Sequence, residues 1–217
     1  LQQEACEQVY FVRITRRDDK FPTRKLGAFG TDLGAVSCFF EEAWKRASLT
    51  LTPEYQAWIL NQAAFRLRAL GRLTEALEPM RAGLEMRIQQ QVWKNAAIVA
   101  NNLSELSLTL GEVSAAVGDA ERSVTYADRS GDAFERLSDR TTHADALHQA
   151  GRRAEALARF REAEQMQAAR QPVYPLLYGP SGFQYCELLL ASSERAAWSV
   201  GFRSAKAGSV RGAKGDH

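Results

Sequence analysis

His143 and His148 are the first place to look for chemistry in this chain, because imidazole is both a common metal ligand and an acid-base group near neutral pH. A step of five residues turns them onto different faces of a helix, so they are poorly placed to share a metal ion and read as ordinary histidines. The acidic pairs Asp18 with Asp19 and Glu41 with Glu42 have neighbours of opposite charge and read as solvated faces. Cys6, Cys38 and Cys186 are odd in number and far apart, which fits neither a disulfide framework nor a zinc site. Cys38 and Cys186 lie in apolar helical stretches and are expected to be small buried hydrophobes. No phosphate-binding loop, dinucleotide fingerprint, zinc-protease helix or nucleophile elbow occurs. The chain therefore reads as a protein that is not an enzyme, without catalytic residues, cofactor or metal.

The elements that would position any site are helices. The 217 residues are 45% hydrophobic, enough to bury a core, and Ala, Leu, Glu and Arg dominate. With 28 basic and 26 acidic residues the net charge is +2, too balanced to indicate a nucleic-acid or membrane partner. No apolar run reaches the length of a membrane span and no signal peptide opens the chain, so the cytoplasm is the expected location. The start at Leu1 rather than Met is that of a domain or fragment of something longer. Trp44, Trp58, Trp93 and Trp198 sit at helical positions among apolar neighbours, as packing residues do.

One motif recurs: ALGRLTEALEPM at 69–80, TLGEVSAAVGDA at 109–120 and QAGRRAEALARF at 149–160. Gly71, Gly111 and Gly151 are 40 residues apart, and each is followed five residues later by Ala76, Ala116 or Ala156. A 41-residue step upstream reaches Gly30 and Ala35, and a 40-residue step downstream reaches Ala191 and Ala196. A glycine after an amphipathic helix supplies the left-handed cap that ends it. An alanine early in the next helix lets two helix axes approach within about 8 Å. Leu77, Met80 and Leu84, then Val117, Ala120 and Val124, then Leu157, Phe160 and Ala163 follow at helical spacing. They are expected to face Leu60, Ala63, Leu67 and Leu70, then Leu103 and Leu110, then Leu147.

This pattern resembles the tetratricopeptide repeat, whose usual period is about 34 residues. The longer period here is similar to that of the kinesin light chain repeats and of the C-terminal helical arms of bacterial signalling NTPases of the STAND type. The stretch NNLSELSLTLG at 101–111 looks particularly like that class. The resemblance implies an all-α solenoid of helical hairpins with a right-handed superhelical twist and a concave wall lined by the first helix of each pair. It covers residues 30–202, with reference positions at 30, 71, 111, 151 and 191. Residues 1–29 form a separate N-terminal segment, in which the alternation from Val9 to Thr15, RRDDK as a turn, and Phe21 to Leu26 point to a short β-hairpin, with a frayed helix as the alternative. Pro172, Pro175 and Pro180 predict a kinked or looped entry to the last first-type helix, regular after about Ser181. Residues 203–217 have no apolar periodicity and read as a disordered basic tail.

The resemblance also nominates a surface. Ten residues before the reference positions Gly71, Gly111, Gly151 and Ala191 lie Asn61, Asn101, Thr141 and Ser181; six before lie Phe65, Glu105, Asp145 and Tyr185; three before lie Arg68, Leu108, His148 and Leu188. With Trp58, which falls on the same side, they are the expected concave-face binding residues. Small hydrogen-bonding side chains in a ladder suit an extended peptide backbone. The functional expectation is a protein- or peptide-binding scaffold, with an NTPase module upstream in the full-length chain and a sensor or regulatory role. The alternative is a structural spacer or oligomerisation module that holds no groove ligand.

Overall fold

Gly71, Gly111 and Gly151 adopt φ values of 75°, 81° and 75°, the left-handed region that a Cβ disfavours. At each the chain closes a helix with a long reach: the Arg72, Glu112 and Arg152 amides donate to the Leu67, Ser107 and Leu147 carbonyls at 2.9, 2.8 and 2.9 Å. The computed structural model describes residues 1–191, and these turns divide it into helical hairpins. Helix α4 (Pro53–Ala69) pairs with α5 (Leu73–Gln89), α6 (Trp93–Thr109) with α7 (Val113–Ser130), and α8 (Ala133–Gln149) with α9 (Arg153–Arg170). A further helix, α10, covers 179–191. Ala76, Ala116 and Ala156 are fully buried, as a close helix crossing requires. Of the expected facing residues, Leu60, Ala63, Leu67, Leu103 and Leu147 are buried, whereas Leu70 is 42% exposed.

Between hairpins the α5–α6 turn keeps the same long reach, the Val92 amide donating to the Arg87 carbonyl at 3.0 Å, but with a different residue at its hinge. Gln91 takes φ 56° between α5 and α6 with no glycine to ease it. Between α7 and α8 the turn is at Gly131, φ 70°, and the Asp132 carboxylate caps α8 by accepting from the Phe134 and Glu135 amides at 2.9 and 3.1 Å. The link from α9 to α10 is longer, running through 171–178, and α10 begins at 179, close to the expected boundary.

The N-terminal segment takes the helical alternative in place of a hairpin at 9–26. Residues 9–26 are largely helical: α1 (Gln2–Glu4) runs into a π-helix at Ala5–Ile14, and a 3-10 turn at Arg17–Asp19 leads to α2 (Phe21–Arg24) and α3 (Phe29–Ser37). Burial decides this, since Cys6 and Tyr10, four apart, are 0% and 1% exposed. A short antiparallel hairpin does exist, further along, with β1 (Phe40–Glu42) paired to β2 (Arg46–Ala47) and Phe40 opposite Ala47. Trp44 sits in its turn at φ 65° rather than on a helix, edge-on to Phe40 with ring centroids 5.4 Å apart. Gly30, aligned with the hinge glycines by sequence, lies inside α3 and makes no turn. Cys38 and Cys186 are exposed, contrary to expectation, and Cys6 is the buried cysteine. Ala196, Trp198 and the 203–217 tail fall outside the described residues.

One apolar cluster runs from Leu33 through α4, α5 and α6 to Leu106, and another joins α8, α9 and α10 around Leu147, Phe160 and Leu188. Between them the seam is held by small residues, Ala116, Ala120 and Ala146. Among the described residues no helix is long and apolar enough to cross a membrane.

Candidate functional site

The first-type helices α4, α6, α8 and α10 bring several of the nominated residues into contact with one another. Arg68 donates from α4 to the Asn102 side-chain oxygen at 3.1 Å and to Glu105 at 3.2 Å, both on α6. Ser181 of α10 and Thr141 of α8 lie 3.0 Å apart; the Thr141 hydroxyl already donates to the Ser138 carbonyl at 2.7 Å, so Ser181 is the donor. Gln184 of α10 donates to Asp145 of α8 at 3.3 Å. Of the 40-residue ladder only Thr141 and Ser181 form a rung, with Thr141 2% exposed; the other bonds between adjacent first-type helices join Arg68 to Asn102 and Glu105, and Gln184 to Asp145.

Two cavities open along this face. The first, about 200 Å³, is lined by Asn61, Phe65 and Arg68 of α4 together with Lys20, Thr23, Ile98 and Asn102. Among the described residues neither the Asn61 amide nor the Lys20 ammonium has a side-chain partner, and Phe65 is 48% exposed, its ring tilted at 48° to that of Phe29 with centroids 6.0 Å apart. The second, about 300 Å³, joins Glu105 of α6 and Thr141 of α8 to Ser181 and Gln184 of α10, with Phe134, Arg170 and Tyr178 at its rim. The Arg170 guanidinium lies over the Phe134 ring at 5.6 Å. Leu177 and Tyr178 are shared with an adjoining apolar cavity of about 620 Å³ formed by Val173, Tyr174, Pro175 and Leu176. Gln167 fixes this loop, donating to Gln171 at 2.9 Å and to the Tyr174 carbonyl at 2.8 Å.

The other nominated residues are placed differently. Trp58 is half-buried under the N-terminal segment, its ring 5.7 Å from Tyr10, 5.4 Å from Phe11 and 6.0 Å from Tyr55. Leu108 packs on Ala116, Ala120 and Ala146, and Tyr185 stacks on Phe160 at 4.9 Å, so both point into the hairpin packing. Asn101 is half-buried with its side-chain oxygen covered and unbonded, and His148 likewise has a covered, unbonded Nδ1. Sequence reasoning missed Asn102 and Gln184, although each is adjacent in register to a nominated position. Lys20, Arg170 and Tyr178 lie outside the first-type helices, and a count along those helices cannot reach them. Among the described residues no group of three or more His, Cys, Asp or Glu is placed to hold a metal ion.

The same hairpin stack occurs in two solved structures. A putative kinesin light chain from Podosopora anserina with nearly identical TPR-like repeats superposes with a TM-score of 0.57 at 13% identity, covering 99% of each chain. A second crystal structure, of a substituted form of that protein, gives 0.59 at 14% identity over 94% of each chain. The chain has the tetratricopeptide-like repeat fold. No protein-family model and no curated protein matches it. The tetratricopeptide-like array accounts for α4 to α10, and the segment before it forms a cap over Ile59 and Ala63 of α4 through Cys6, Tyr10, Val36 and Phe39.

Proposed function

We propose that this array is a non-enzymatic scaffold that binds an extended polypeptide of a protein partner along the concave face lined by α4, α6, α8 and α10. The observation that carries the reading is the cavity at Asn61, Phe65 and Asn102, where an exposed aromatic ring stands beside amides not fully engaged within the protein. A peptide backbone loses water on entering such a cleft and needs replacement donors and acceptors; Asn61 can supply both. The Phe65 ring gives an adjacent side chain an apolar surface. Structures of this fold generally serve protein-protein interaction, which agrees with the reading. The upstream NTPase module implied by the resemblance is not needed for it, because both cavities are built within residues 1–191.

The test is selection of binding peptides from a displayed random library against the full chain, followed by calorimetric titration of the best binder. Asn61→Ala combined with Phe65→Ala should weaken it at least tenfold, about 1.4 kcal/mol, with the fold unchanged by circular dichroism. Arg161→Ala, on exposed α9 surface, should leave it unaltered. Equal affinity for all three proteins would remove the groove reading and favour a spacer.

A further inference from the structure

The face that α8 turns toward the preceding hairpin carries Glu135, Asp139 and His143, at i, i+4 and i+8, with exposures of 8%, 0% and 7%. The last two registers are apolar in both earlier hairpins: Ile59 and Ala63 on α4, Val99 and Leu103 on α6, all buried. The third hairpin alone places a carboxyl and an imidazole where its predecessors place hydrocarbon. Both Asp139 oxygens and His143 Nδ1 are covered and unbonded among the described residues, as is the Ser104 hydroxyl of α6. Ser123 of α7 is close to Asp139, but its hydroxyl donates to the Ala120 carbonyl at 2.8 Å. The apolar residues of the seam are small, Ala116, Ala120 and Ala146 with Leu108 and Val117 packed against them, and toward its other end Asp128 of α7 accepts from Arg136 and Arg140 of α8 at 2.9 and 3.0 Å.

We propose that the seam between α7 and α8 is a proton-controlled joint, closed while Asp139 is protonated and His143 is neutral, and opening when either group becomes charged. An ionised carboxylate here would be buried with no donor except the Ser123 hydroxyl, which is turned to the Ala120 carbonyl. On its own helix Asp139 faces Glu135, which repels it, and Arg140, which is engaged by Asp128 and Glu162; on α6 it faces Glu105, and α7 offers only Ser123. Burial, with Glu135 next, pushes the Asp139 carboxyl up to about 8. His143 is pushed the other way, first by burial and then by Arg159; Arg152 acts in the same sense, while Glu121 of α7 and Glu155 of α9 oppose it.

The sign follows from linkage. Charging of the lowered His143 opposes closure as pH falls below the ordinary imidazole value near 6.5, whereas the Asp139 carboxyl, raised in the closed state, binds its proton more tightly there than when exposed, and its contribution to closure is full below the ordinary carboxylate value near 3.8. It weakens as pH rises from there to about 8 and is constant above that. The opening constant should therefore rise up to about tenfold per pH unit across the upper part of this interval. The cavity that joins Glu105 of α6 to Thr141 of α8 straddles the joint, so opening divides it whatever it holds.

Hydrogen exchange by mass spectrometry on the full chain between pH 6 and 9, corrected for the base-catalysed intrinsic rate, reads the opening constant helix by helix. Expected is a rise confined to α7 and α8 that levels off above about pH 8 and is abolished in Asp139→Val and in Asp139→Asn, with the α4 to α6 amides flat. Carbon-13 titration of the aspartate carboxyls in the unaltered protein should show one midpoint near 8 that either variant lacks. An Asp139 midpoint near the ordinary carboxylate value would overturn the proposal without depending on whether a variant folds. So would an exchange profile identical in the parent and both variants.

Discussion

Arg66→Met is the substitution with the largest expected effect on the N-terminal cap. Arg66 is 2% exposed on α4, at the register filled by Leu106 on α6 and Ala146 on α8. Its Nε and one terminal nitrogen both bond the Asp32 carboxylate of α3, and the other terminal nitrogen donates to the Gln62 carbonyl and side-chain oxygens at 2.8 Å each. Asp32 also accepts from the Tyr10 hydroxyl at 3.2 Å, so one buried carboxylate ties α4, α3 and the π-helix together. Removing the cation strands a carboxylate that is 3% exposed, a situation that costs about 3 to 5 kcal/mol. For a chain of this size that is a fall in Tm of roughly 6 to 20 °C. Replacing both partners, Arg66→Met with Asp32→Leu, removes the stranded charge and should recover most of the loss, leaving about 1 to 3 kcal/mol for the Tyr10 hydroxyl without its acceptor.

Urea denaturation followed by circular dichroism measures the double-mutant cycle. Thiol labelling measures where the damage lies: Cys38 and Cys186 are exposed, whereas Cys6 is buried in the cap with its thiol pushed up to about 12, chiefly by burial. The parent should therefore show two fast thiols and Arg66→Met a third. If Arg66→Met lost less than about 1 kcal/mol, or the double variant were no better than the single, the pinning argument would fail.

Ala116→Leu should destabilise by about 1 to 3 kcal/mol in urea, because the alanine is fully buried at the α6–α7 crossing and extra methylenes force the helices apart. Gly111→Ala should cost roughly 1 kcal/mol through its φ of 81°. Gly118→Ala, inside α7 with open space around the added Cβ, should raise stability by about 0.4 to 1 kcal/mol; opposite signs at the two glycines are the check.

The hairpin register was legible because each of its requirements singles out a residue type: a left-handed cap selects Gly71, Gly111 and Gly151, and a close crossing selects Ala76, Ala116 and Ala156. Turns between hairpins left no such mark, since Gln91 takes a positive φ at one and Gly131 at the other. The N-terminal segment misled because Val9 to Thr15 alternates like a strand while the burial of Cys6 and Tyr10 follows a helix. Cys38 was misjudged because the stretch around it ends α3 and turns its thiol outward. Asp139 could have been found by laying the repeats over one another, where Ile59 and Val99 precede it in register. That comparison requires asking which residues break a repeat as well as which ones keep it.

Both cavities on the first-helix face gain walls from parts that do not repeat. Lys20 and Thr23 of the cap close one, and Leu177 and Tyr178 of the loop before α10 close the other. A periodic stack can offer only the same shallow step at each hairpin, because its register residues are spent on bonds between helices such as Thr141 to Ser181 and Arg68 to Glu105. Depth, and with it discrimination between ligands, comes where the period fails. Selectivity should therefore respond more to Lys20 and Tyr178 than to the bonded register residues. Lys20→Ala and Tyr178→Ala should change which peptides a displayed library returns, whereas Ser181→Ala should leave the selected sequences the same; a spectrum altered only by Ser181→Ala would show that the repeat itself does the reading.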